Sequence, residues 1–292
     1  MTRRLATFGF RSGCAVEALA RRHGFTVAQR HPLLPVVRPD ADFDDVLIDG
    51  ELLGRIGEGR PDWLDDVERI YVLTCDEVDP MAPLVGPISL AVKRAVDVVG
   101  ALAALVVCLP VIAVCGIWVK LDSRGPIFYR QMRVGLDGQK FRMWKLRTMR
   151  RDCDDGHHRQ YVKALMQGEA PRLNGMYRVA DDPRITRAGH VLRRWSLDEL
   201  PQLFNVLSGE MSLVGPRPNA LHETAWYDAR AWQRLRVRPG VTGPWQVEAR
   251  GLVPFGEMVQ MDIEYIERWS VWRDIHVLMC TPAAVFGRAG AA

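Results

Sequence analysis

The 292-residue sequence lacks any Cys-x-x-Cys motif, and its six cysteines are scattered along the chain. Two of them, Cys108 and Cys115, fall inside an apolar run. This spacing argues against a disulfide framework and favours reduced thiols in a cytosolic setting. A signal peptide is not expected either, because Arg11 and Glu17 interrupt any apolar core near the start.

A Gly-x-Gly-x-x-Gly motif is also missing, so no nucleotide-binding site is predicted in residues 1–84. Their pattern nevertheless indicates a small α/β domain. Residues 46–48 and 70–73 are apolar runs of strand length, whereas residues 15–22 and 61–68 have helical patterns. The order strand, helix, strand predicts a parallel pair in a reduced Rossmann-like unit.

Excess charge is small over the whole chain, with a formal net charge of +4, but it is unevenly distributed. Residues 1–84 carry 10 Lys and Arg against 15 Asp and Glu, and the remainder carries 29 against 20. A basic C-terminal part favours binding to anionic lipid head groups or phosphorylated substrates, with nucleic acid as the other candidate.

Charge is absent from residues 98–119, a run of 22 residues that is long enough to span a bilayer. Pro110 lies near its middle, where it removes a helical hydrogen bond and predicts a kink. Basic residues flank both ends of the run: Lys93, Arg94, Lys120, Arg124 and Arg130. Positive charge at both ends favours a re-entrant helix that bends at Pro110, with a spanning helix as the alternative.

Residues 124–151 contain nine basic residues and a single acid, Asp137, with four aromatic residues interleaved. A turn at Asp137-Gly138 predicts a β-hairpin. Basic and aromatic residues that alternate in this way are compatible with single-stranded nucleic acid. Because the hairpin directly follows the apolar run, contact with lipid phosphate is the favoured interpretation.

An acidic pair, Asp198 and Glu199, stands within a basic segment. Pro201 fits only the first turn of a helix, which places the pair at a helix N-terminus. One interpretation is a capping box formed by Ser196 and Glu199. The other is polyphosphate chemistry, because arginines bracket the pair. These arginines are Arg184, Arg187, Arg193, Arg194 and Arg217.

The run DDPRITRAGHVLRRWSLDELPQLFNVLSGEMSLVGPRP, residues 181–218, resembles the core of the bacterial sugar transferases. These are monotopic phosphoglycosyl transferases, which move a sugar phosphate onto a polyprenyl phosphate, and the exopolysaccharide-initiating type is the most similar. The resemblance extends to the F-x-x-x-K-x-R-T-M pattern that ends at Met149 and to RPGVTGPWQV at residues 238–247.

The resemblance implies a reaction in which Asp198 attacks the sugar-bearing phosphate of a UDP-sugar and UMP is released. Polyprenyl (undecaprenyl) phosphate then takes the sugar phosphate from the aspartyl intermediate. Asp198 and Glu199 would hold Mg²⁺. The implied substrate-binding residues are Lys145, Arg147, Arg193, Pro216, Arg217, Arg238 and Trp245.

The family likeness also implies a location on the cytoplasmic face of the bacterial inner membrane. Inner-membrane lipids, downstream glycosyltransferases and a second copy of the chain in a homodimer are the expected partners, and nucleic acid is not among them.

The predicted fold class is α+β, with three parts. Residues 1–84 form a small α/β domain, residues 85–122 a linker and re-entrant membrane helix, and residues 123–292 a mainly helical catalytic domain with a short β-hairpin. Two other functions stay open. One is a nucleotide-sugar glycosyltransferase that uses Asp42-x-Asp44, and the other is a non-catalytic basic module that binds a membrane surface or RNA.

Overall fold

A computed structural model describes residues 3–8, 25–31, 45–49, 69–73, 87–150, 182, 184–220, 223–224, 227, 229–249 and 253–287. The chain folds into two compact units. The first comprises residues 1–84, 134–140 and 219–237, and the second comprises residues 85–133, 141–218 and 238–292. The domain limits at residues 84 and 122 stay a prediction.

Helices and strands are mixed in the described part of the chain. In chain order its strands and α-helices are β1 (Arg3–Phe8), β2 (Phe25–His31), β3 (Asp45–Asp49), β4 (Arg69–Leu73), α1 (Pro87–Asp122), β5 (Phe128–Val134), β6 (Lys140–Leu146), α2 (Arg187–Arg194), α3 (Gln202–Ser208), β7 (Ser212–Val214), α4 (Ala229–Trp232), β8 (Gly240–Thr242), α5 (Pro244–Glu248), α6 (Phe255–Glu267) and α7 (Val271–Phe286).

The first unit contains a four-stranded sheet with strand order β2-β1-β3-β4, in which every pairing is parallel. Phe8, Val46 and Ile48 are completely buried in it. The predicted strands at 46–48 and 70–73 and their parallel pairing are confirmed, whereas β1 and β2 were missed by the sequence analysis. The predicted helices at 15–22 and 61–68 and the Asp42-x-Asp44 motif lie outside the described residues.

The long helix α1 has 36 residues and is long and apolar enough to cross a membrane. One narrow stripe of α1 is buried, from Asp97 and Ala101 to Ile112, Cys115 and Val119. Only 17% of its most apolar 18-residue window is buried, so most of its apolar surface faces outward. The helix is continuous through Pro110, and the re-entrant course with a kink at this proline stays a prediction.

The predicted hairpin is confirmed as β5 and β6, which pair in a two-stranded sheet. Asp137 and Gly138 both have positive φ values, 52° and 74°. The N–H of Gln139 donates to the carbonyl of Leu136 at 3.0 Å. Two central residues of this conformation match the twist of paired strands, which explains why Asp-Gly marked the turn correctly.

The second unit has a core in which α1 packs against the hairpin and α2. Its buried cluster consists of Ile112, Cys115 and Val119 from α1, Leu146 from β6 and Leu192 from α2. The C-terminal half of the apolar helix is therefore built into the unit along one stripe, while its other faces are exposed.

Gly189 marks a close approach between α2 and the strand that leaves the hairpin. A Cβ atom at this position would overlap the backbone carbonyl of Thr148, which accepts a hydrogen bond from the Thr186 N–H at 3.0 Å. Because backbone cannot yield as a side chain can, we expect Gly189→Ala to lower the free energy of unfolding by about 1–3 kcal/mol. The measurement is thermal unfolding of the detergent-solubilised protein.

Gly256 provides the matched control for this substitution. It lies in α6, and a Cβ atom there would meet nothing within 4 Å. We expect Gly256→Ala to be neutral or to stabilise by up to about 1 kcal/mol, because alanine is the better helix former. Equal melting temperatures for the two variants would contradict the proposed backbone overlap at Gly189.

Candidate active site

The acidic pair lies in a short 3₁₀ turn (Leu197–Glu199) between α2 and α3. Ser196, just before the turn, has a left-handed backbone with φ 53°, which redirects the chain after α2. Pro201 is the N-cap residue of α3, so it precedes the first helical turn in which the sequence analysis had placed it. Asp198 and Glu199 are both buried, with 4% and 9% of their surfaces exposed.

The capping-box interpretation of this pair is wrong. Ser196 makes no side-chain capping hydrogen bond, and its N–H donates to the carbonyl of Arg193 at 3.3 Å. The Glu199 carboxylate instead accepts hydrogen bonds from two cationic side chains. The Glu199 side chain therefore lies against two cations instead of forming the second half of a capping box with Ser196.

Two cations converge on Glu199. The Nζ atom of Lys145, from β6, lies 3.0 Å from Glu199 Oε1. Both terminal nitrogens of Arg217 lie 3.4 Å from the same oxygen. Burial lowers the pKa of Lys145, and the Glu199 carboxylate opposes that shift. The site thus combines two buried carboxylates with two positive charges that come from distant parts of the sequence.

Arg217 is held by a loop whose backbone is fixed on both sides. Strands β7 and β8 are parallel, and the carbonyl of Pro216 accepts the Gly240 N–H at 2.8 Å. A Cβ atom on Gly215 would lie 2.6 Å from the carbonyl oxygen of Arg238. The carbonyl of Pro218 accepts a hydrogen bond from Arg133 Nη1 at 3.3 Å. The backbone before and after Arg217 is therefore restrained.

The other bracketing arginines take different positions. Arg184 pairs with Asp182 at 2.7 Å, and its hydrogen bonds lower the pKa of that carboxyl. Arg193 donates to the hydroxyl of Thr148 at 3.0 Å. Arg187 and Arg194 are exposed. Of the five arginines that surround the acidic pair in sequence, the structure brings Arg217 into contact with Glu199.

The predicted contact between Arg147 and substrate phosphate stays a prediction, and in this structure the side chain binds the protein's own backbone. Its guanidinium is buried and donates to four backbone carbonyls at the end of α1, at 2.7 Å to Pro126 and Arg124, 2.8 Å to Ser123 and 3.4 Å to Val119. Four N–H groups of Arg147 thus hold the loop between α1 and the hairpin in place, so in this structure the side chain stabilises the fold.

Three more residues predicted to bind substrate contact or pack against other parts of the protein in this structure. Arg238 donates to the carbonyl of Gly209 at 2.8 Å, at the C-terminal end of α3. Trp245 in α5 is buried, with 6% of its surface exposed, and its predicted contact with substrate stays a prediction. Pro216 is buried as well, and contributes its carbonyl to the β7–β8 contact.

A buried network contacts the residue that precedes the arginine loop (residues 215–218, which hold Arg217), and the sequence analysis did not predict it. Lys93 Nζ lies 2.7 Å from Asp274 Oδ2 and 3.1 Å from the carbonyl of Val214, which immediately precedes Gly215. The hydroxyl of Tyr265 donates to Asp274 Oδ1 at 2.6 Å. The sequence pattern indicates Lys93 only as a basic residue that flanks the apolar run. The only sequence signal for this buried ion pair was a basic residue close to the start of an apolar helix.

The donors present at the acidic pair fit a magnesium ion. The described residues contain no group of three or more His, Cys, Asp or Glu that could hold a metal. Mg²⁺ is, however, commonly bound by one or two carboxylates, with the remaining oxygens supplied by water and substrate phosphates. Asp198 and Glu199 are adjacent carboxylates of this kind, so these two residues would hold the ion.

Comparison with known protein families adds an independent finding. The sequence model of the family described as "Bacterial sugar transferase" matches residues 88–288. The matched part includes α1, the hairpin, the acidic turn and the arginine loop. The parallel sheet of residues 1–84 lies outside it.

Individual relatives agree with the family match. The galactosyl transferase CpsE of Streptococcus agalactiae serotype III is 39% identical over 203 residues, covering 69% of this chain and 44% of that protein. The exopolysaccharide production protein ExoY of Rhizobium meliloti is 39% identical over 204 residues, covering 69% of this chain and 88% of ExoY.

A third relative, from Xanthomonas campestris pv. campestris, is named UDP-glucose:undecaprenyl-phosphate glucose-1-phosphate transferase. It is 42% identical over 197 residues, covering 62% of this chain and 37% of that protein. The aligned region thus spans less than half of two of these three relatives and most of ExoY. The family model matches about two thirds of this chain, and the aligned region covers 88% of ExoY. This chain therefore belongs to the bacterial sugar transferase family.

Proposed function

We propose that this chain transfers a sugar 1-phosphate from a UDP-sugar to polyprenyl phosphate, as the first membrane step of exopolysaccharide or glycoconjugate assembly. The observation that carries this proposal is the buried Asp198–Glu199 turn with Lys145 and Arg217 both on Glu199. Relatives named UDP-glucose:undecaprenyl-phosphate glucose-1-phosphate transferase support the substrate classes.

The first step is attack by a carboxylate oxygen of Asp198 on the sugar-bearing phosphorus. The new bond is a carboxyl–phosphate bond. The bond from that phosphorus to the bridging oxygen breaks, and the electron pair leaves with UMP. In the second step a phosphate oxygen of the polyprenyl phosphate attacks the same phosphorus. This releases the Asp198 carboxylate and yields polyprenyl diphosphosugar.

Lys145 and Arg217 supply positive charge beside the reacting group. Each lies within 3.4 Å of Glu199 Oε1, and their fixed backbones require little reorganisation when negative charge moves between phosphoryl oxygens. A bound Mg²⁺ would neutralise phosphate charge in the same place. Burial of the turn restricts water, which would otherwise hydrolyse the intermediate.

The deciding experiment measures UMP release by detergent-solubilised full-length protein. The reaction contains Mg²⁺, polyprenyl phosphate and one member of a panel of UDP-sugars. We expect continuous UMP release with at least one sugar. Without the lipid phosphate, we expect a burst of about one UMP per enzyme and a gain in protein mass equal to one sugar phosphate. Continuous release without the lipid would contradict transfer to it.

A second outcome separates the competing functions. A nucleotide-sugar glycosyltransferase would release UDP and would form no adduct on the protein. A non-catalytic surface module would release neither nucleotide from any UDP-sugar in the panel. Detection of UDP in place of UMP would therefore overturn the proposed reaction while leaving an enzymatic role.

A further inference from the structure

A groove lies on one side of the hairpin, beside the C-terminal end of α1. Its volume is about 700 Å³, and it is lined by Lys120 of α1, residues 126–130 and Trp144 of β6. All of these residues belong to the second unit. The mechanism proposed above uses none of them.

The groove combines an apolar floor with two positive charges. Pro126, Ile127 and the aromatic rings supply the floor, and Lys120 and Arg130 are the charged lining residues. The guanidinium carbon of Arg130 lies 3.7 Å from the centroid of the Trp144 ring, and within the described part of the chain this guanidinium forms no hydrogen bond. No lining residue is acidic. This charge pattern is complementary to a ligand with one anionic group and an apolar body.

The groove and the acidic pair lie on opposite faces of β6. Successive strand residues point to opposite sides, and Lys145, which follows Trp144, contacts Glu199. Trp144 instead packs edge-on against Phe128, and Phe128 packs against the buried cluster shared with α1. A phosphate bound in the groove would therefore not be the phosphate that reacts at Asp198.

The exposed surface of α1 continues to the groove. Around Lys120, the side chains of Ile117, Trp118 and Leu121 are 60%, 41% and 80% exposed. Apolar side chains this exposed on a helix long enough to cross a membrane are suited to contact with acyl chains. The groove thus lies beside the protein surface that would face lipid, where a cation can reach a head group.

We propose that this groove binds one anionic phospholipid of the bilayer. The lipid phosphate lies between Lys120 and Arg130, and the glycerol and upper acyl chain lie against residues 126–129. The bound lipid would fill the space between the hairpin and the end of α1. The charge pattern favours lipid over RNA because a single apolar groove with two cations provides no extended basic track.

Native mass spectrometry of the detergent-solubilised full-length protein tests this proposal without any sugar donor. The probes are phosphatidylglycerol and phosphatidylcholine of the same chain length. We expect the wild type to retain phosphatidylglycerol in preference to phosphatidylcholine. Since each basic residue near a lipid surface contributes about fivefold to binding, Lys120→Gln combined with Arg130→Gln should weaken phosphatidylglycerol binding about 25-fold.

Arg142→Gln is the matched control, because Arg142 is an exposed arginine of β6 outside the groove lining. It should retain phosphatidylglycerol as the wild type does. Arg130→Lys keeps the charge and should retain most of the binding, which distinguishes loss of a site from loss of the fold. Equal retention of both lipids by the wild type, or unchanged binding in the double variant, would overturn the proposal. Displacement of phosphatidylglycerol by a short oligoribonucleotide or by polyprenyl phosphate at equal concentration would overturn it too.

Discussion

Asp198→Asn is expected to reduce UMP release by about 10⁴-fold or more, since loss of a nucleophile typically has an effect of this size. The carboxamide cannot form the carboxyl–phosphate bond, so neither the burst of UMP nor the sugar phosphate adduct should appear. Asparagine has nearly the same shape, and Asp198 is 4% exposed within a short 3₁₀ turn. The substitution should therefore leave the packing of the turn intact.

The measurement pairs UMP release with intact-protein mass, and membrane association and the melting temperature report on the fold. Glu248→Gln is the matched acid-to-amide control, because Glu248 is exposed in α5 and lies outside the candidate site. It should show wild-type rates. If Asp198→Asn retained the adduct, or released UMP within about tenfold of the wild type, another group would be the nucleophile.

The elements that sequence could predict are those whose signal is local. A tight hairpin turn requires positive φ at two consecutive residues, and Asp137-Gly138 is a dipeptide that favours this conformation. The apolar run of residues 98–119 defines a long helix in the same way. In the sheet, runs rich in Val, Ile and Leu identified β3 and β4, whereas β1 begins with two arginines and its burial depends on neighbouring strands.

At the candidate site the structure brings Arg217 into contact with Glu199, and the substrate-binding roles of the other basic residues stay predictions. Residue type does not reveal whether a guanidinium meets a ligand or the chain's own carbonyls. The Arg147 guanidinium donates hydrogen bonds to four backbone carbonyls, and Arg184 forms an ion pair with Asp182. Conversely, Lys145 was found through the family pattern, but its contact with Glu199, 54 residues away, depends on tertiary packing.

The buried pair of Lys93 and Asp274 is expected to be the most sensitive position outside the reacting groups. Asp274 Oδ2 accepts from Lys93 at 2.7 Å and from the Trp269 indole at 3.1 Å, and the Asp274 side chain is 3% exposed. Burial raises the pKa of the Tyr265 hydroxyl, and the neighbouring Asp274 carboxylate raises it further. The network joins α1, α6 and α7 to the last residue of β7.

Asp274→Ala should lower the free energy of unfolding by about 3–5 kcal/mol, because it leaves the Lys93 ammonium buried without its counter-charge. Lys93→Met should cost a similar amount for the converse reason. The double variant Lys93→Met, Asp274→Leu should recover most of the loss, since an apolar pair of similar volume can replace a buried ion pair. Thermal unfolding in detergent of the wild type, Lys93→Met, Asp274→Leu and the double variant gives the coupling energy.

Recovery of stability and recovery of catalysis need not coincide in this network. Lys93 donates to the carbonyl of Val214, and Val214 is followed directly by the loop that holds Arg217. The double variant restores packing but not this hydrogen bond. We therefore expect it to melt near the wild type and yet release UMP more slowly, by about tenfold if one hydrogen bond to a charged group is lost. Full recovery of both properties would show that α1 merely packs against the loop that holds Arg217, whereas recovery of stability alone would show that α1 also positions this loop.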